Sequence, residues 1–216
     1  QVVYGQKSRD LLWTDSDTVN SVFACATLEG YVNPITVSTM LSTGMITQKN
    51  IVEAISNVKN IEMLRLLLPA CEDTGFQRNC YQNPCFPYFT IRPVLMKVIV
   101  ENRENREVVL TLTKELIEAG FQDEVDDISG GTALHTACYF GLTKVVKLLL
   151  DSGSSKFVNI CDKRGYSPVT LVLTTFRTMD KDEILEDEID IVKMMFDYGY
   201  RLSVDTSNPS WTHLPH

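Results

Sequence analysis

The chain has 216 residues, 44% of them hydrophobic, enough to bury a sizeable core and too many for a disordered polymer. Its 28 acidic residues against 20 lysines and arginines give a net charge of -8, the wrong balance for general phosphate binding to nucleic acid, so a basic or neutral protein surface is the expected partner. No run approaches about 18 consecutive apolar residues, which excludes a membrane-spanning helix in this sequence, and six cysteines scattered over this length exclude a small disulfide scaffold.

In chain order, the opening "QVVYGQKSRDLLW" lacks the apolar centre of a signal peptide and begins at Gln1 rather than methionine, so the sequence is expected to belong to a longer protein. "VNSVFACATLEG" and "TVSTMLSTG", ending at Gly44, predict a first helix pair. "NIVEAISNV" and "EMLRLLLPA" predict a second. The stretch 69–92, "PACEDTGFQRNCYQNPCFPYFTIRP" with its flanks, is rich in prolines and aromatics and reads as an ordered finger between pairs. "RPVLMKVIV" and "TKELIEAG" predict a third pair, with the polar "ENRENREVVLTL" as a linker inside it.

The stretch "GGTALHTACYFGLTKVVKLLLDSG", residues 130–153, holds a complete unit. Asp127 and Thr132 bracket a turn, Thr132 is a helix N-cap, and a short helix begins at Ala133. Gly141 permits a tight turn, and Leu142, Val145, Val146 and Leu149 then form one apolar stripe of a second helix that Gly153 ends. The following "VNICDKRGYSPVTLVL" opens another unit through the turn Asp162-Lys163-Arg164-Gly165, and "DIVKMMFDYG" supplies its second helix. Between them "TTFRTMDKDEILEDEID" inserts an acidic, solvated extension over 174–190. Aligned on Leu68, Ile117, Leu150 and Phe196, the second helices recur at spacings of 49, 33 and 46 residues.

The unit at 127–170 resembles the ankyrin repeat, which has a period near 33 residues and a T-P-L-H-x-A signature. Here "TALHTA" departs only at Ala133, while the next unit keeps Pro168 and has Ser167 and Thr170 for the threonine and histidine. The resemblance implies an all-α solenoid of about five helix-pair repeats with insertions, near residues 15–47, 48–89, 90–126, 127–161 and 162–205, forming a single domain over 1–216. It also implies a concave surface that binds other proteins. The family's variable contact positions fall on Ile128, Ser129 and Gly131, on Lys163, Arg164 and Tyr166, and on Tyr139 and Phe140.

The remaining chemistry-bearing residues point elsewhere. The resemblance gives His135 a structural role, bonding to the neighbouring turn, rather than a catalytic one. His213 and His216 lie in a proline-containing tail where fraying is expected. Cys71, Cys80 and Cys85 crowd together without a C-x-x-C pair or a nearby histidine, so reduced, metal-free thiols are expected and no cofactor is implied. No phosphate loop or nucleophile elbow appears, which argues against an enzyme. The expected function is recruitment of a protein partner within a larger regulatory protein, in a reducing compartment, cytoplasmic or nuclear. Two alternatives stand beside it: a spacer making intramolecular contacts with other domains, and a cysteine-rich metal or redox element.

Overall fold

The computed structural model of the chain describes residues 16–28, 33–71, 93–178 and 186–201. The finger from residue 72 onward with Cys80 and Cys85, the centre of the acidic insertion at 179–185, and the tail at 202–216 with both its histidines lie outside the described residues.

The described residues form ten α-helices: α1 (Ser16–Leu28), α2 (Pro34–Ser42), α3 (Gln48–Ser56), α4 (Ile61–Leu67), α5 (Val94–Asn102), α6 (Arg106–Glu118), α7 (Ala133–Tyr139), α8 (Thr143–Asp151), α9 (Pro168–Thr178) and α10 (Glu186–Asp197). Their starts follow from capping chemistry. Asn33, Thr47, Asn60, Asn105 and Thr132 each accept a backbone N–H of the first turn on a side-chain oxygen, satisfying a donor that the helix itself leaves unpaired. The second helices α6, α8 and α10 end at Gly120, Gly153 and Gly199, all with positive φ, a conformation that spares glycine the clash of a Cβ. Each of these stops lies three residues beyond Ile117, Leu150 or Phe196, as the aligned repeats require.

Each odd-numbered helix packs against its even-numbered successor, and the pairs stack in two rows. The first helices α1, α3, α5, α7 and α9 touch in sequence, and so do the second helices α2, α4, α6, α8 and α10. One continuous apolar cluster runs from Phe23 in the first pair to Met195 in the last. The fold is therefore an all-α stack of five helix pairs.

One local expectation changes. The polar stretch inside the third pair is mostly helix: α6 starts at Arg106 because Asn105 caps it, accepting the Val108 N–H at 3.1 Å, and Val109, Leu112 and Leu116 extend one buried stripe. Only Arg103-Glu104-Asn105 connects the helices. The acidic residues ahead of α7 are partly taken into the fold. Asp123 is buried and accepts the Ala133 and Leu134 N–H groups at 2.7 and 3.2 Å, so it holds the N-terminus of α7. Asp126 is buried inside its turn. Of the acidic run near 190, Asp187 pairs with Arg106 at 2.6 Å, and Glu186, Asp187 and Glu188 fill the first turn of α10, where the helix dipole favours negative charge.

Two outcomes follow. Leu149 is fully buried between the rows, so Leu149→Ala lowers the unfolding free energy by about 2 to 5 kcal/mol, measured by chemical denaturation. Burial outweighs the two backbone bonds at Asp123 and pushes its carboxyl up to about 6 from 3.8. The folded state then holds that proton more tightly than the unfolded chain, so its contribution is full below pH 3.8 and is lost as pH rises through about 6. The stability difference between the parent and Asp123→Asn, measured across that window, falls with rising pH.

Candidate functional site

The two described turns ahead of α7 and α9 are built alike but differ in length. In the first, the Asp126 N–H donates to Gly131 O and the Gly130 N–H donates to Asp126 O, both at 2.7 Å. The Asp126 carboxylate accepts the Ser129 N–H and hydroxyl at 2.9 and 2.5 Å. Asp126 thus closes the turn, one residue before the Asp127 that the sequence pattern suggests. In the second, the Asp162 N–H donates to Tyr166 O at 2.9 Å, and its carboxylate accepts the N–H groups of Arg164 and Tyr166, both at 2.9 Å. The first turn carries one extra residue between its closing pair, which displaces the register.

The turns also bond to each other. The Lys163 N–H donates to Ser129 O at 2.8 Å, and the Lys163 ammonium reaches the Asp127 carbonyl. Gly130 lies directly beneath, with φ of +71°, where a Cβ would stand 3.0 Å from the Lys163 nitrogen. Glycine is needed there both for the backbone conformation and for the close approach.

From the turn, α7 runs for seven residues to Tyr139, about 10 Å at helical rise. His135 occupies its first turn, buried. Its Nδ1 accepts the Thr132 N–H at 3.2 Å while Nε2–H donates to Ile160 O at 3.0 Å, and burial lowers its pKa below the ordinary histidine value. The neutral ring, bonded at both nitrogens, ties α7 to the arm of the next turn. It stabilises repeat geometry and has no nitrogen free for catalysis. The signal that composition alone does not give is Asn20, which fills the same place in the first pair: its amide donates to Met45 O at 2.9 Å and its carbonyl oxygen accepts the Thr47 N–H at 2.9 Å. Both side chains reach a carbonyl 25 residues ahead.

The structure distributes the candidate contact residues into three environments. Ile128 and Tyr139 are each 51% exposed, and Ser129, Lys163 and Arg164 are exposed at the turn tips. Tyr166 and Phe140 are half-buried. The Arg164 guanidinium lies 5.5 Å from the Tyr166 ring centre, the Arg103 guanidinium lies 5.5 Å from that of Phe140, and Phe140 meets Tyr139 edge-on at 5.1 Å. Gly131 is buried, a packing position that offers no surface to a partner. Arg103, which sequence reasoning passes over, extends this aromatic corner from the preceding repeat. The cations are already engaged, Arg164 with the Asp162 carboxylate at 3.3 Å and Arg103 with Glu104 at 3.2 Å.

Other chemistry is sparse. Burial pushes the Cys138 thiol far above its ordinary range, Cys71 is half-buried and Cys161 is exposed. Among the described residues no three metal-ligating side chains come together. A cavity of about 300 Å3 sits at the C-terminal ends of α6 and α8, and another of about 200 Å3 at the N-terminal ends of α6, α8 and α10; neither includes a candidate contact residue. No helix among the described residues is long and apolar enough to cross a membrane.

A comparison with curated proteins finds no match. A family model described as ankyrin repeats, in three copies, matches residues 51–160, which is just over half of the chain and spans the three central helix pairs. The flanking pairs α1/α2 and α9/α10 continue the same two rows, and the turn at Asp162 repeats the construction of the turn at Asp126. With stacked helix pairs, turns that bond to one another and a histidine bridging one unit to the next, the chain belongs to the ankyrin-repeat family.

Proposed function

We propose that the chain is a recognition module that recruits a protein partner across the face bounded by the turn tips and the C-terminal ends of the first helices. Ankyrin repeats are in general protein–protein interaction modules. The observation that supports this face is the exposure of Ile128 and Tyr139, at opposite ends of the α7 unit, on a backbone fixed by buried Asp126, Asp162 and His135. Large side chains held in water on a rigid support lose little conformational freedom on binding, and tyrosine and arginine are enriched among the residues that dominate interface energies.

The partner's surface is neutral to basic. Arg103 and Arg164 are paired with carboxylates and the Lys163 ammonium rests on a carbonyl, so the face adds little positive field of its own. The chain's net charge of -8 then steers approach. Nucleic acid is a poor fit to the same field.

The test separates the tips from their support. Replacing Tyr139 and Arg164 with alanine leaves the melting curve nearly unchanged and weakens a partner recovered by affinity purification by at least about 1 kcal/mol per residue, read by titration calorimetry. Gly130→Ala instead costs about 1 to 3 kcal/mol of stability, through the left-handed backbone and the displaced Lys163–Ser129 bond. A double alanine variant that binds as tightly as the parent overturns the assignment of this face.

A further inference from the structure

Two junctions of the array are held by equivalent side chains of different chemistry. His135 donates to Ile160 O at 3.0 Å and accepts the Thr132 N–H at 3.2 Å. Asn20 donates to Met45 O at 2.9 Å and accepts the Thr47 N–H at 2.9 Å. An amide keeps a donor and an acceptor at every pH, whereas an imidazole does so only while neutral, because a second proton turns the accepting Nδ1 into a donor. Thr132 is fully buried, so a protonated ring sets Nδ1–H against the Thr132 N–H and leaves that N–H without its acceptor. The Thr132 hydroxyl, 3.0 Å from Nδ1, can turn to accept from the ring, but not from its own residue's N–H as well.

The surroundings do little to hold a charged ring. Burial keeps the His135 pKa below the 6.5 of a free ring, outweighing the Ile160 and Tyr166 carbonyls and the Asp162 carboxylate, which favour the charged form. Asp162 is itself bonded to Arg164 and to two backbone N–H groups, and Asp126 in the turn before is bonded to Ser129. Of the helices packed against α7, α5 carries Lys97 and Glu101, the latter paired with Lys59. On α8, Lys144 pairs with Glu107 and Lys147 with Asp151, and α9 has no titratable side chain from Pro168 to Thr174. Within α7, burial keeps the Cys138 thiol protonated. Asp123 acts in the opposite sense: burial pushes its carboxyl up to about 6, so its contribution to the folded state grows as pH falls through that value.

We propose that His135 is an acid-released latch: neutral, it ties the Asp162–Tyr166 turn to α7, and protonated, it lets that turn go, while the junction held by Asn20 stays closed in acid. The latch contributes fully above the free-ring value of 6.5, and its contribution is lost as pH falls below it, because the open ring then binds a proton that the closed one refuses. The released turn carries Lys163, Arg164 and Tyr166, but the latch does not depend on their binding a partner.

Amide exchange followed by NMR on the full chain, normalised to intrinsic rates and compared at about pH 7.5 and about pH 5.5, tests this. The Asp162 and Lys163 amides, bonded to Tyr166 O and Ser129 O, are expected to lose protection in acid several-fold. The ceiling is about tenfold, the factor by which an open ring of ordinary pKa gains protons over that range while the closed ring does not. The Thr47 amide, bonded to Asn20, keeps its protection. His135→Asn, which installs the side chain of the first junction, abolishes the loss, and Asp123→Asn leaves it in place. Should His135→Asn fail to fold, the nitrogen chemical shifts of the His135 ring in the parent decide, and they are expected to remain those of the Nε2–H tautomer below the pH at which the unfolded chain's histidines titrate. A ring that titrates in the folded chain as it does in the unfolded one overturns the latch. So does unchanged protection at Asp162 and Lys163, an equal loss at Thr47, a loss that survives His135→Asn, or a loss that Asp123→Asn removes.

Discussion

A pair of short antiparallel helices presents apolar side chains on two opposite sides, and neither side can be buried by the pair alone. The array depends on that constraint. Val98 and Ile99 of α5, Ala137 and Cys138 of α7, and Val172 of α9 are buried only because each helix has a neighbour in its row. The core is consequently one cluster running the length of the array rather than five separate ones. Stability of such a stack comes from interfaces between neighbours. The polar bridges between pairs serve the same end: His135 to Ile160, Asn20 to Met45, and buried Asn102 to Val58 O at 3.0 Å each bond across a junction that hydrophobic contact alone would leave free to slide.

Stacking also decides what is available for recognition. Positions facing a neighbour are committed to packing, which leaves the turn tips and the outward sides of the helices open to a partner. The turns resolve this at atomic level. Asp126 and Asp162 are buried and hold the backbone, together with Gly130, while the side chains of Ile128 and Arg164 are exposed at the turn tips. A partner meeting such a loop orders little beyond side-chain rotamers.

The charge of the chain shows why composition is an incomplete guide to surface chemistry. Asp123 and Asp126 count toward the acidic excess, yet both are buried and accept N–H bonds at the start of α7 and within its turn. Asp187 compensates Arg106 and sits at a helix N-terminus. The field a partner meets is set by the residues left over, and at the turn tips these include Lys163 and Arg164 with their partners already in place.

The sequence by itself determined the elements whose signals are local. The cap Thr132, the apolar stripe of Val145, Val146 and Leu149, and the glycine stop at 153 each act within a few residues, so the helix pairs and their recurrence were legible before any fold was known, and the family resemblance of the same stretch implied the structural role of His135. Only the tertiary structure decided that Asp126 closes the first turn, that Gly131 is buried, and that Asn20 does in the first pair what His135 does in the fourth. Those facts rest on bonds and contacts between residues far apart in the sequence, such as Asn20 and Met45, or on one extra residue in a turn. Periodicity carries no information about either, because the stacking register that brings Lys163 over Ser129, or Asn20 to Met45, exists only once neighbouring repeats have packed.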